Sequence, residues 1–397
     1  MKVDQPFLEA MRHATHLIRT QGPRAATQFI QGLFRSGAPT ARPGAAPVGD
    51  RADEHLAQFE DAHGPIAKLE RCAADAPAEL LSEGGQFLSG RFSNEAGARN
   101  YKLYVPAGYV GAPLPLVVML HGCTQDPDDF ATGTRANRWA DNRRCLVAYP
   151  EQTQRANSHR CWNWFRPQDQ GPGRGEPAII AGITKQVIDE YQIDERRVYV
   201  AGLSAGGAMA AIVGQAYPEL FAAIGVHSGV LVGAAHDLPS AFALMKTGQP
   251  RPAPHAMGQR ARSSSTHSSR RVVPLIVLHG DADRTVNPAN AKRLIENAVA
   301  THHSMSAGSR LQVSLQTVGE TYDCHGYRRT KHTAANGASM IEQWEIRGAG
   351  HAWSGGDAAG SYTSGRGPDA TKVMLDFFDQ HVAPDEETAP QVMDSAA

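Results

Sequence analysis

Between about residue 85 and residue 381, short apolar runs alternate with segments in which apolar residues recur at helical spacing. The apolar runs have the length of buried strands, and they predict strands at 116–120, 145–149, 198–201, 222–226 and 273–278, followed by an alternating strand at 340–346. The helical spacing predicts helices at 179–191, 205–217, 289–300 and 371–381, the last of them capped by Asp369. Strands that alternate with helices in this way predict an α/β fold, with a mostly parallel central sheet and helices on both of its faces.

A β-hairpin is predicted at the start of this region. Residues 86–92 and 98–105 are strand-like, and residues 94–97 between them have the composition of a tight turn. We therefore expect one α/β domain at residues 85–382.

The residues outside this domain have a different character. Phe7, Met11, Ala14 and Ile18 share one helical face, and residues 36–50 are rich in Pro, Gly and Ala. We predict a helical N-terminal extension and linker at residues 1–84. Residues 251–271 contain five Arg and no acidic residue, and they predict a flexible basic insertion on the surface. Residues 383–397 predict a disordered tail.

Composition and charge exclude several classes of function. The 397-residue chain has 39 Lys plus Arg and 40 Asp plus Glu, a net charge of −1, so nothing attracts it generally to nucleic acid or anionic membranes. No apolar run reaches the roughly 18 residues of a membrane-spanning helix. The first residues lack the apolar stretch of a secretory signal, so on the sequence alone we expect a cytoplasmic protein.

The five cysteines are few for a chain of this length. They include no C-x-x-C pair, so they do not predict a zinc site, and we expect neither a metal nor an organic cofactor. Their odd number excludes complete pairing within the chain.

The strongest chemical signal is the segment 202–206, Gly-Leu-Ser-Ala-Gly, which lies between a predicted strand and a helix rich in small residues. This is the G-x-S-x-G pattern in the context that it requires, because the strained turn lifts the serine hydroxyl clear of the sheet. We therefore predict that Ser204 is the nucleophile of an enzyme with the α/β-hydrolase fold. The alternative is a turn that serves packing alone.

A serine hydroxyl needs a base, and in this fold the chain order is Ser, then Asp or Glu, then His. Asp283 follows the predicted strand 273–278, and we prefer it to Asp281, which lies closer to the strand end and can brace the turn instead. His351 lies in a glycine-rich loop after the strand 340–346 and is the expected base, with His325 as the alternative. Asp283 would hold the tautomer of the histidine and stabilise the imidazolium.

The tetrahedral oxyanion of acyl transfer needs two N–H donors. We expect one from Ala205, at the positive end of the helix after Ser204. The second should come from the loop after the strand 116–120, where His-Gly-Cys at 121–123 occupies the usual place of an oxyanion loop. We choose the N–H of Cys123.

Aromatic residues suggest a substrate wall. Trp162 and Trp164 lie in a cluster at 161–165 whose polar flanks indicate a surface loop, and Trp353 follows His351 closely. We expect these three residues, together with Gln125, to contact the substrate. Cys161 could form a bridge to Cys123 beside the oxyanion donor, although a cytoplasmic location would oppose it.

Four motifs in this order resemble those of the polyhydroxybutyrate depolymerase family of esterases, whose relatives include feruloyl and acetylxylan esterases. They are 120–125 (LHGCTQ), 161–165 (CWNWF), 202–207 (GLSAGG) and 350–356 (GHAWSGG). The resemblance covers about residues 85–381. It implies hydrolysis of carboxylic esters by Ser204, Asp283 and His351, a Cys123–Cys161 disulfide, and an extracellular or periplasmic location.

The family's polymer-degrading members often carry a secretion signal and a polymer-binding domain, and this sequence shows neither pattern. We therefore expect short-chain hydroxyalkanoate esters or oligomers as substrates. The alternatives are a feruloyl or acetylxylan esterase and, from another class, a non-catalytic binding protein built on the hydrolase fold. The sequence makes no prediction of oligomeric state.

Overall fold

A ten-stranded β-sheet forms the centre of the computed structural model, which describes residues 85–250, 271–306, 310–319 and 324–384. The predicted N-terminal extension at 1–84 lies outside the described residues. The predicted basic insertion, apart from Arg271, also lies outside them. The same holds for the part of the predicted tail after residue 384.

The strands of the main sheet are β1 (Gln86–Asn94), β2 (Gly97–Val105), β3 (Leu114–Leu120), β4 (Leu146–Pro150), β5 (Ile193–Leu203), β6 (Ala223–His227), β7 (Leu275–Gly280), β8 (Gln312–Val318), β9 (Tyr327–Thr333) and β10 (Ser339–Ile346). A short parallel pair is formed by β11 (Trp353–Ser354) and β12 (Thr363–Ser364). The helices are α1 (Pro127–Thr134), α2 (Ala136–Arg143), α3 (Gly175–Glu190), α4 (Ala205–Ala216), α5 (Leu238–Thr247), α6 (Ala289–Met305) and α7 (Ala370–Phe378).

The strand order is β1-β2-β4-β3-β5-β6-β7-β10-β9-β8. From β4 to β10 each neighbouring pair is parallel, whereas β1 and β2 on one side and β9 and β8 on the other pair antiparallel. The predicted hairpin, the mostly parallel sheet and the helices on both faces are confirmed.

The central strands carry buried apolar runs because both faces of the sheet are covered there. In β3 all seven residues are buried. Val118 and its alternate neighbours pack into a core with residues of α3 and α4, while Val117 and Met119 point to the other face, where Phe377 of α7 lies. Helix α4 approaches its strands closely, since a Cβ on Gly214 would lie 2.3 Å from a side-chain carbon of Ile224.

The sequence pattern did not predict α1, α2, α5, β8 or β9. Strand β8 is exposed along almost its whole length, and β9 has the polar sequence YRRTKHT, so neither shows the apolar run used to predict strands. The predicted start of the tail also needs correction at its first residue. Ala383 is buried, and its N–H donates to Arg196 O at 2.8 Å.

Candidate active site

Three loops meet at the carboxyl edge of the parallel strands. They follow β5, β7 and β10, and backbone hydrogen bonds join them to the strands between. Ser204 N donates to His227 O at 2.8 Å, and Ser228 N donates to Leu278 O at 2.9 Å. Asp281 N donates to Ile346 O at 3.0 Å. The expected nucleophile, acid and base therefore lie at one edge of the sheet, where open α/β folds place their sites.

Ser204 has a strained backbone between β5 and α4, with φ 58° and ψ −118°. Few residues other than glycine adopt this conformation, and such strain concentrates at functional sites. The flanking glycines are needed for space. A Cβ on Gly206 would lie 2.0 Å from Leu120 O, and one on Gly202 would lie 2.4 Å from the carbonyl carbon of Gly206. The strand, sharp turn and helix required by the G-x-S-x-G pattern are therefore present.

Asp283 and His351 are in direct contact. The distance from His351 Nδ1 to Asp283 Oδ2 is 2.7 Å, and Asp283 Oδ1 accepts from the N–H groups of Thr285 and Val286, each at 2.9 Å. Burial by itself raises the pKa of Asp283, but nearby His351 and hydrogen bonds from His279 and His351 outweigh it, so this pKa lies well below its usual range. Asp283 is therefore an ionised acceptor that fixes the orientation of His351.

The two alternatives for acid and base lie apart from this contact, Asp281 in the loop after β7 and His325 just before β9. Asp281 accepts from Gly348 N at 2.7 Å and so braces the start of the histidine loop, by which we mean residues 348–364. His325 lies beside Gly348 and Gly367. Among the described residues the Ser204 hydroxyl makes no hydrogen bond, so its link to His351 stays a prediction.

The oxyanion loop, residues 121–125, lies against the nucleophile turn. A Cβ on Gly122 would be 3.7 Å from Ser204 Cβ. Gly122 N donates to Gln125 Oε1 at 2.9 Å and Thr124 N donates to His159 O at 2.7 Å, whereas within the described part of the chain Cys123 N has no acceptor. Ala205 N–H is at the first position of α4 and has no partner within that helix. These two N–H groups are thus available to an oxyanion.

The expected Cys123–Cys161 disulfide is present. It joins the oxyanion loop to the aromatic loop, residues 157–165, across a sequence separation of 38. Cys145 is a free and buried cysteine.

The expectation of an exposed aromatic wall is wrong. Trp162 and Trp353 are fully buried and Trp164 is 6% exposed. The Trp162 ring packs 5.7 Å from that of His121, behind the oxyanion loop. Trp353 stacks on His227 at 5.2 Å. Large aromatic rings gain the most from burial, and here they support the loops from within.

Gln125 is buried as well, at 1% exposure. Besides accepting from Gly122, its amide donates to Asp129 Oδ2 and to Ser361 O, each at 3.0 Å. It therefore ties the oxyanion loop to the histidine loop and offers little surface to a substrate.

The sequence interpretation missed Glu176, which organises the aromatic loop. This buried carboxylate on α3 accepts from Asn163 N at 2.6 Å, from Asn163 Nδ2 at 2.7 Å and from Arg99 Nη2 at 3.3 Å. Burial raises its pKa, which the hydrogen bonds from Asn163 and Gln152 oppose. The available signal was an acidic residue at the start of a helix whose first half is otherwise apolar.

His121 is a buried structural histidine. Its Nε2 accepts from Gln152 N at 3.1 Å, so the ring proton is on Nδ1, which lies 2.8 Å from Gly122 O. Burial lowers its pKa to about 4, so the ring is neutral near pH 7.

No described helix has the length and apolarity to cross a membrane. In the described ranges, no group of three or more His, Cys, Asp or Glu side chains is arranged to hold a metal ion.

The strand order and the strained serine turn define the fold as that of an α/β-hydrolase. A solved acetyl xylan esterase from Aspergillus awamori shares this fold, with a TM-score of 0.55 and 20% identity over 74% of this chain and 99% of that one. At the level of sequence, the profile described as esterase PHB depolymerase matches residues 99–313. This match covers more than half of the chain, which therefore belongs to the esterase PHB depolymerase family.

Individual relatives agree with this assignment. Poly(3-hydroxyalkanoate) depolymerase C of Paucimonas lemoignei is 33% identical over 251 residues, which cover 62% of this chain and 57% of that protein. Feruloyl esterase B of Neurospora crassa is 31% identical over 215 residues, 51% of this chain and 70% of that protein. The chain thus spans little more than half the length of its depolymerase relative.

Proposed function

We propose that this protein is a serine esterase in which Ser204 is the nucleophile, His351 the general base and Asp283 the residue that orients it. The observation that carries the proposal is the 2.7 Å contact between His351 Nδ1 and Asp283 Oδ2, at the same sheet edge as the strained Ser204 turn. The N–H groups of Cys123 and Ala205 would hold the oxyanion. Membership of an esterase family supports the reaction class.

The reaction has two halves. Ser204 Oγ bonds to the ester carbonyl carbon while His351 Nε2 takes the hydroxyl proton, and the carbonyl oxygen becomes an oxyanion. The bond to the alcohol oxygen then breaks, and the alcohol leaves with the proton from His351. A water molecule then attacks the carbonyl carbon of the acyl-enzyme while His351 takes a proton from it. The bond to Ser204 Oγ breaks, His351 returns a proton to Ser204, and the carboxylic acid is released.

Short-chain hydroxyalkanoate esters or oligomers are the favoured substrates. Support comes from the family match and from the depolymerase relative at 33% identity. The expected partner is therefore a small or oligomeric ester.

A feruloyl or acetylxylan esterase is the second candidate, because a feruloyl esterase is 31% identical over 70% of its own length. An aromatic slot formed by Trp162 and Trp164 would have favoured feruloyl groups, but the burial of both residues removes that argument. Turnover of p-nitrophenyl butyrate, hydroxybutyrate oligomers and methyl ferulate compares the candidates directly. Ferulate turnover that is faster by orders of magnitude would overturn the hydroxyalkanoate assignment.

A fluorophosphonate probe tests the enzyme assignment itself against a non-catalytic binding protein. The probe should label the wild type and fail to label Ser204→Ala, because only an activated serine reacts with it. A wild type that is not labelled and hydrolyses none of the three esters would contradict the proposed function.

A further inference from the structure

His227 contacts both halves of the candidate site, although nothing in the proposed chemistry uses it. It ends β6, between the strands that lead to Ser204 and to Asp283, and it is 1% exposed. Its backbone carbonyl accepts the N–H of Ser204 at 2.8 Å. The backbone of His227 therefore fixes the nucleophile turn.

The side chain of His227 reaches the histidine loop. Its Nε2 lies 3.2 Å from the backbone N of Ser354, which can only donate, so Nε2 must be the acceptor. The ring proton is then on Nδ1, which points to Ser228 Oγ at 3.1 Å. Burial, together with the nearby His279 and His351, lowers the pKa of His227 to about 3, which keeps this acceptor unprotonated.

The contact is transmitted to His351 over a short and rigid path. Ser354 is three residues after His351, and the intervening Trp353 stacks on the His227 ring with an interplanar angle of 27°. Trp353 is itself held by bonds from its indole N–H to Thr371 Oγ1 at 3.1 Å and from its backbone N–H to Tyr362 O at 2.7 Å. Movement of His227 would therefore shift the loop that carries the base.

From this geometry we infer that His227 is a positioning residue that sets the distance between Ser204 and His351, an inference that rests on the proposed function. One residue holds the nucleophile through its backbone and the base loop through its side chain. A displacement of about 1 Å between reacting groups can lower a rate by roughly a hundredfold.

Two uncharged variants distinguish the contact of His227 Nδ1 with Ser228 from the contact of His227 Nε2 with Ser354. In His227→Gln the amide oxygen extends as far as Nε2 and can accept from Ser354. In His227→Asn the amide group lies at the position of Nδ1, so it can serve Ser228 but cannot reach Ser354. We expect the Gln variant to keep kcat on p-nitrophenyl butyrate within about threefold of the wild type. The Asn variant should lose roughly 30-fold or more in kcat, with KM changed by less than about threefold.

Melting temperatures and near-ultraviolet circular dichroism are recorded for both variants, with Ser204→Ala as the inactive reference. Equal kcat values for the two variants would overturn the inference. A loss of kcat in proportion to the fall in melting temperature would overturn it as well. If Asn does not fold while Gln stays active, the role of His227 is purely structural and the inference also fails. A wild type without Ser204-dependent turnover would instead contradict the proposed function, which keeps the two failures distinct.

Discussion

The oxyanion loop and the histidine loop flank the same serine but are held by different interactions. The oxyanion loop is fixed by the Cys123–Cys161 disulfide, and the aromatic loop behind it is fixed by the buried carboxylate of Glu176. No disulfide is described in the histidine loop, which is held by hydrogen bonds through Asp281, Asp283 and His227 and by the packing of Trp353 on His227. Loss of the disulfide should therefore act first on the oxyanion side, whereas changes of single acceptors should act on the histidine side.

The largest expected effect is on the histidine side. In Asp283→Asn the amide cannot stabilise the imidazolium and can select the wrong tautomer of His351, so kcat should fall by roughly 10⁴-fold. Asp281→Asn is the matched control, because its amide oxygen still accepts from Gly348 N, and it should stay within about fivefold of the wild type. Steady-state kinetics of both variants check this, and a larger loss for the Asp281 variant would reverse the assignment.

On the oxyanion side, Cys161→Ser opens the disulfide. The bridge closes a loop of 38 residues, so the free energy of unfolding should fall by about 4 kcal/mol. At temperatures far below unfolding, kcat should still fall roughly 10-fold, because Cys123 N–H is displaced but not removed. Cys145→Ala is the control, since that buried cysteine is free. Cys145→Ala should keep the wild-type kcat, and an unchanged kcat for Cys161→Ser would speak against this role of the bridge.

Glu176→Gln should destabilise the aromatic loop that lies behind the oxyanion loop. The variant leaves the buried Arg99 without its carboxylate and removes one of the two oxygens that accept from the backbone and side-chain N–H groups of Asn163, so the free energy of unfolding should fall by about 3 kcal/mol. Glu190→Gln, at the exposed end of the same helix, should change it by less than about 0.5 kcal/mol. Urea titrations of both variants measure the difference, and equal values would show that the carboxylate network is not needed.

The smallest effect of a single residue is its share of a dependence on pH to which both sides contribute. His121 and His227 have folded-state pKa values of about 4 and about 3, below the value of about 6.5 in an unfolded chain. Below pH 6.5 the unfolded chain binds more protons than the folded one, so stability is lost as the pH falls. Each histidine should remove about 2 kcal/mol between pH 7 and pH 5. Urea titrations at both pH values test this, and His227→Gln should reduce the difference by the share of one histidine. An unchanged difference would show that His227 is not the source.

The sequence predicts most of the sheet and the chemistry at its edge, because those signals are local. The apolar runs of β3 and β5 and the glycines around Ser204 each reflect a constraint visible within a few residues. The exposure of Trp162 was mispredicted because it depends on Glu176, a residue of a separate helix that supplies acceptors to the loop. His227 carries no local signal, since its role arises only when the histidine loop packs against the end of β6.

The order of the central strands has a consequence for how the protein is made. Ser204 leaves the ribosome well before β10, the last of the parallel strands, and the histidine loop follows β10. β10 joins the sheet by pairing with β7, which itself pairs with β6. A nascent or truncated chain that ends before residue 351 therefore lacks the base, however well its serine turn is formed. Under the proposed chemistry, such a chain would hydrolyse no ester until the histidine loop has been synthesised and has packed at the sheet edge.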